Sequence, residues 1–200
     1  MNPYKRYVET IQNCQRCSLH GNGRIVLDRG NPAAKIVLIG EGPGEEESRT
    51  GECFVGAAGQ FLGKLLARNG IREENILFLN VVKHRAVDGN GKNTKPKPTE
   101  IRECMRYLLH QLYLVDPEWI VLLGATAASS LSGKPMPPMG DIAGKFFDKG
   151  EFQMLSFCRL LKGVYCQFHP SAGLHDPGRI PPMDFYWKRF AERINGKSKD

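Results

Sequence analysis

Ala34-Lys35-Ile36-Val37-Leu38-Ile39 runs directly into Gly40-Glu41-Gly42-Pro43-Gly44-Glu45-Glu46-Glu47. The first six residues are mostly apolar and lack the alternation of a half-exposed strand, which suits a strand covered on both faces of a parallel sheet. The glycines and carboxylates therefore fall where that strand ends. In open α/β sheets the ligand crevice lies outside the carboxyl ends of the strands, so these residues become site candidates. A glycine-rich turn in such a place ordinarily suggests phosphate, but this pattern argues against it. No G-x-G-x-x-G leads into a helix, no G-K-[ST] follows, and Glu45, Glu46 and Glu47 would repel a pyrophosphate.

Three further apolar runs read as strands: Asn75 to Val82, Trp119 to Gly124 and Val164 to Phe168. Helical patterns separate them. Gln60 to Arg68 stops at Asn69-Gly70, where Gly70 can take the left-handed conformation that ends helices. Ile101, Met105, Leu108, Leu109 and Leu112 form a helical stripe, with Thr99 as the expected N-cap. Ala125 to Leu131 follows the third strand, and Pro182 to Ile194 makes an amphipathic closing helix. His20 to Ala33 and Gly133 to Gly144 read as loops, and Phe146 to Leu160 as an antiparallel or irregular piece. Strands separated by helices predict an α/β/α sandwich around a four-stranded parallel sheet. Residues 1–200 are expected to form one domain, with 195–200 a frayed tail.

A net charge of +7 is a modest basic excess, compatible with a polyanionic partner and equally with an ordinary soluble protein. Met1 to Arg6 lacks the apolar core of a signal peptide and no run is long enough to span a bilayer. We therefore expect a cytoplasmic protein with no membrane partner. Six cysteines in that compartment read as thiols or metal ligands rather than a disulfide framework. Cys14-Gln15-Arg16-Cys17 follows a helical pattern from Tyr4 to Asn13, and no strand precedes it as a thioredoxin-like redox pair would want. Metal ligation is the better reading. From Lys83 to Arg106 eight basic residues face three acidic ones around a turn-rich stretch, Asp88 to Asn93. This reads as a mobile basic loop, either solvated or contacting backbone phosphate.

Gly40-Glu41-Gly42-Pro43-Gly44, with Phe54-Val55-Gly56 and Ala58-Gly59, resembles the first motif of the family 4, iron–sulfur type uracil-DNA glycosylases. Asn80-Val81-Val82-Lys83, Leu123-Gly124-Ala125-Thr126-Ala127-Ala128 and His169-Pro170-Ser171-Ala172 agree in order and approximate spacing. The resemblance implies the same sandwich fold, a monomer is expected, and uracil-containing DNA becomes the implied substrate, with uracil released by hydrolysis of its N-glycosidic bond. The competing readings are a relative that binds nucleic acid without turnover and one that removes a different damaged base.

By that resemblance His169 donates to the departing base, and Glu41 orients water or steadies the sugar cation. Asn80 would read the edge of uracil, accepting from N3–H and donating to O4, a pattern that cytosine inverts. Phe54 would pack the base, Glu47 would shape the pocket or stand in solvent, and Leu174 would be the apolar wedge that fills the vacated stack. The family's cluster ligands map onto Cys14, Cys17 and Cys104, but its third cysteine is His84 here, and Asp88 to Lys92 reads as an insertion. A [4Fe–4S] cluster with mixed ligation is expected, with zinc as its rival.

Overall fold

The computed structural model describes residues 2–197. Its helices are α1 (Pro3–Thr10), α2 (Glu45–Thr50), α3 (Ala57–Arg68), α4 (Pro98–Val115), α5 (Ala125–Ser132), α6 (Met139–Ile142), α7 (Ser171–His175) and α8 (Ile180–Ile194). Its strands are β1 (Arg29–Gly30), β2 (Ile36–Gly40), β3 (Ile76–Asn80), β4 (Trp119–Leu123), β5 (Phe146–Phe147) and β6 (Gly163–Gln167), arranged in the order β1-β3-β2-β4-β6-β5. The four expected strands, β2, β3, β4 and β6, pair in parallel. Two short antiparallel strands extend them to six, β1 against β3 and β5 against β6. Two residues are too few to show a periodic pattern, so the count of four was short by the edges.

The missing alternation in these strands has a direct cause. Val37, Ile39, Leu77, Leu79, Ile120 and Leu122 face one core with Leu108 and Leu112 of α4 and Ala128 and Leu131 of α5. Ile36, Leu38, Ile76, Phe78, Val121 and Leu123 face the other, with Leu62, Leu65 and Leu66 of α3 and Trp187 and Phe190 of α8. Successive side chains go to opposite faces, and helices cover both, so every position is apolar. From β2 the chain moves to β3 on one side and then crosses to β4 on the other. Such a reversal opens a crevice at the carboxyl ends of the strands.

Helix α4 starts two residues earlier than the Thr99 cap predicts. Lys97 is the N-cap and Pro98 the first helical residue, where its fixed φ is already helical and its missing N–H costs nothing. The Glu100 carboxylate accepts from the Lys97 N–H (2.6 Å) and from Ser18 Oγ (2.5 Å), so it also ties the N-terminal segment to this helix.

The expected mobile basic loop is instead anchored. Val87 bridges Asn93, and Asp88 Oδ1 accepts from the N–H groups of Asn90 (2.8 Å) and Lys92 (3.0 Å). Arg85 donates to Asn93 Oδ1 (2.6 Å) and to Glu45 (3.2 Å). Lys83 and His84 are buried, so the basic run counted from sequence divides into a buried start and an exposed turn around Lys92. At the other end, Asn195, Gly196 and Lys197 still hydrogen-bond to the last turn of α8. Residues 198–200 of the expected tail lie outside the described residues.

Candidate active site

The carboxyl ends of the parallel strands open into a cleft of about 780 Å³ lined by Glu41, Glu47, Phe54, Asn80, His169 and Leu174, among others. Six residues from five separate segments are thus brought to one place by the sheet. Gly40 and Asn80 are register partners in β2 and β3, which sets Glu41 just beyond one strand end and the Asn80 amide at its neighbour's. On the other side Leu123 pairs with Gln167, and the Gly124 N–H donates to the Gln167 carbonyl (2.9 Å), fixing the start of α5 beside the segment that carries His169.

Glycines make room for these side chains. A Cβ on Gly40 would stand 2.6 Å from Asn80 Oδ1 and 2.7 Å from Phe54 Cζ. Residue 40 must therefore be glycine for the ring and the amide to converge over the strand end. Phe54 holds a left-handed backbone (φ 56°), a conformation that costs a non-glycine residue and is typical of sites under functional constraint. Its ring lies 5.7 Å from that of Phe78 and 6.4 Å from the imidazole of His169. Helix α3 closes against this turn because Gly59 presents no Cβ to the Phe54 carbonyl.

Asn80 is 2% exposed, and its Nδ2 donates to Cys53 Sγ at 3.5 Å. Behind it, Lys83 Nζ donates to the Asn80 carbonyl at 2.8 Å. Burial holds the pKa of Lys83 below that of an ordinary lysine. The Glu41 carboxylate accepts from Thr126 Oγ1 at the start of α5. Glu47 is buried, not solvated: its Oε1 accepts from the Gly56 N–H at 2.9 Å, and a Cβ on Gly44 would collide with its Oε2 at 2.6 Å. It ties the loop carrying Phe54 to α2.

Desolvation pushes the pKa of His169 down to about 4, so its ring is neutral near pH 7. The Ser171 N–H points to His169 Nδ1 at 3.3 Å, with Ser171 Oγ 2.8 Å from the same nitrogen. An N–H can only donate, so Nδ1 is the acceptor and Nε2 carries the proton. Leu174, on α7, is 45% exposed at the rim, and Lys95, His175 and Arg179 also line the cleft. The guanidinium of Arg179 sits 5.3 Å over the ring of Phe168.

Of the expected metal ligands, Cys14 and Cys17 are half-buried and Cys104 and His84 buried. Both Cys14 and Cys17 lie close enough to act electrostatically on Cys104. Cys14 Sγ is 3.2 Å from Tyr107 Oη, one turn along α4 from Cys104, and the Lys83 N–H donates to Cys104 Sγ (3.2 Å). His84 stands edge-on to His20, ring centres 6.2 Å apart. Among the described residues no three Cys, His, Asp or Glu side chains converge tightly enough to hold one metal ion.

The sequence alone points to no role for Thr126, Ser171 or Cys53, and counts Lys83 with the basic loop. Thr126 and Ser171 stand inside motifs it had singled out, which was the available signal. Lys83 looked like the first of many surface cations, and only the packing shows it buried.

Residues 27–191 match the Uracil DNA glycosylase superfamily. A Type-4 uracil-DNA glycosylase of Archaeoglobus fulgidus is 35% identical over 194 residues, 95% of this chain and 92% of that protein. One of Pyrobaculum aerophilum is 33% identical over 177 residues, 84% of this chain and 83% of that protein. One of Thermotoga maritima is 45% identical over 122 residues, 60% of this chain and 62% of that protein. A cleft at the strand ends with these residues around it, on a chain matched along most of its length, places the protein in the type-4 branch of the Uracil DNA glycosylase superfamily.

Proposed function

We propose that this chain turns uracil out of DNA and hydrolyses its N-glycosidic bond. The observation that carries the reading is the meeting of Glu41, Phe54, Asn80 and His169, from distant parts of the sequence, on one cleft. A base must leave the stack to be cut, and the protein must then read its edge and cover its face. Asn80 does the first, its Oδ1 accepting from N3–H and its free Nδ2 hydrogen donating to O4; Phe54 does the second. Leu174 at the rim fills the gap left in the stack, and Lys95 and Arg179 lie where they can meet backbone phosphate.

As the C1′–N1 bond breaks, negative charge gathers on uracil and positive charge on the sugar. The neutral His169 donates from Nε2 to the base oxygen, and the Glu41 carboxylate, fixed by Thr126, stands against the sugar cation and orients water. Water oxygen bonds to C1′, uracil departs with the electron pair of the broken bond, and a water proton restores its neutrality through solvent. Glu47 acts through the Phe54 loop and does not touch the base.

Cys14, Cys17 and Cys104 would hold a [4Fe–4S] cluster, with His84, next to the Lys83 whose N–H donates to Cys104 Sγ, as its fourth ligand. Zinc needs four donors within about 2.3 Å of one point, whereas a cluster accepts donors spread over its corners. When bound, such a group supplies folding free energy by tying the N-terminal segment to α4. The chain is expected to act as a cytoplasmic monomer; none of its described helices is long and apolar enough to cross a membrane.

Purified protein incubated with uracil-containing and matched control oligonucleotides should leave alkali-labile sites only in the former. Cutting of neither would refute the activity. Protein prepared without air should be brown and carry about four irons per chain; colourless protein with one zinc would overturn the cluster and leave the glycosylase reading intact.

A further inference from the structure

We propose that Lys83 is a positioning residue for the base-reading Asn80: its ammonium holds the Asn80 carbonyl from behind while Cys53 holds the amide in front. The inference rests on the assignment of Asn80 made above. Lys83 is 1% exposed, the most deeply buried cation of the described residues, and its Nζ lies 2.8 Å from the Asn80 carbonyl. That carbonyl belongs to the last residue of β3, beyond the ladder with β1, which ends where Arg29 pairs with Phe78. The lysine side chain reaches back three residues to supply a donor that the sheet does not.

A buried ammonium is costly unless it is well bonded, and an apolar side chain of similar length would fill the same space without that cost. Its retention therefore needs a reason other than packing. The carboxylate that acts on it is Asp28, whose Oδ2 accepts from Tyr4 Oη (2.9 Å); Tyr4 Oη in turn accepts from Gln111 Nε2 (3.0 Å). Asp28, Tyr4 and Gln111 thus form a polar chain that reaches α1 and α4, and its half-buried carboxylate acts on Lys83 through space. In front, Cys53 Sγ takes one Nδ2 hydrogen (3.5 Å), and the absent Cβ of Gly40 leaves Oδ1 its place. With its main-chain carbonyl held by Lys83 and its Nδ2 by Cys53, Asn80 keeps Oδ1 and one N–H for the base in the order that fits uracil and opposes cytosine.

The test is a double-mutant cycle on uracil-containing oligonucleotide under single-turnover conditions at saturating protein. Lys83→Met should slow excision about tenfold, the effect of losing one charge-assisted hydrogen bond that positions a base-reading residue. It should leave the DNA dissociation constant and its salt dependence unchanged, because Lys83 reaches no phosphate. In an Asn80→Ala background Lys83→Met should slow the reaction no further. Lys83→Gln, which keeps a donor, should fall between wild type and Met, and it carries the same cycle if the Met variant does not fold. A wild-type rate for Lys83→Met, equal slowing in both backgrounds, or a flattened salt slope would each overturn the proposal. If Asn80→Ala itself excises uracil at the wild-type rate, the assignment of Asn80 fails and the proposal falls with it.

Discussion

Gly40→Ala tests the geometry of the cleft with a single methyl group. The backbone of β2 accepts alanine, so the substitution acts only through the space it fills. The new Cβ would meet Asn80 Oδ1 at 2.6 Å and Phe54 Cζ at 2.7 Å, where ordinary contact begins at 3.4 Å. The amide oxygen must retreat by about 0.8 Å and the ring by about 0.7 Å. Neither moves freely: Asn80 is bonded to Cys53 and Lys83, and Phe54 sits in a left-handed turn closed by Gly59. Misplacing a reacting or reading group by about 1 Å costs roughly a hundredfold in rate, so a loss of about 10- to 100-fold in single-turnover excision is expected. Overpacking should also destabilise the fold by about 1–3 kcal/mol, or a few degrees in Tm for each kcal/mol. Gly140→Ala, in α6 where a Cβ meets nothing within 4 Å, is the control and should leave excision unchanged and cost no stability. Wild-type excision by a folded Gly40→Ala protein would refute the proposal that Asn80 and Phe54 meet the base.

Glu47→Ala removes the acceptor of a buried N–H and should lower stability by about 1–3 kcal/mol in urea unfolding; an unchanged midpoint would deny that Glu47 tethers the Phe54 loop. His169 has a folded pKa of about 4, below the 6.5 of an unfolded histidine, so between these values the unfolded chain binds the extra proton. Its neutral burial therefore supports the fold fully above pH 6.5 and less as pH falls toward 4. His169→Gln should lose less stability than wild type over that interval, and parallel curves would contradict the buried neutral ring. Lys95→Ala and Arg179→Ala should each flatten log K against log salt by about 0.9 on duplex or 0.7 on single strands. An unchanged slope would assign both cations to solvent.

The layered fold and the residues that line the cleft are legible in the order and pattern of the chain alone. A short unalternating apolar run ending in a glycine-rich turn suits a strand covered on both faces, and a parallel order sends every such strand's carboxyl end to the same side. Glu41, Asn80 and His169 were therefore legible as neighbours before any coordinates, because strand ends converge whatever the loops do. The edge strands β1 and β5 were not, since two residues carry no period and form only where a neighbour's free edge offers hydrogen bonds. The start of α4 was misread because a side-chain cap at Thr99 competed with the backbone preference of Pro98, and the proline prevailed. Which cations are exposed and which are buried depends on packing that no local pattern encodes. A lysine in a basic run looks the same at position 83 as at position 95, and burial is a property of what packs against it. The same holds for Glu47, which lies in a run of glutamates yet turns inward to bond Gly56. Partners such as Thr126 for Glu41 and Ser171 for His169 likewise follow from distances between elements, which no local pattern encodes.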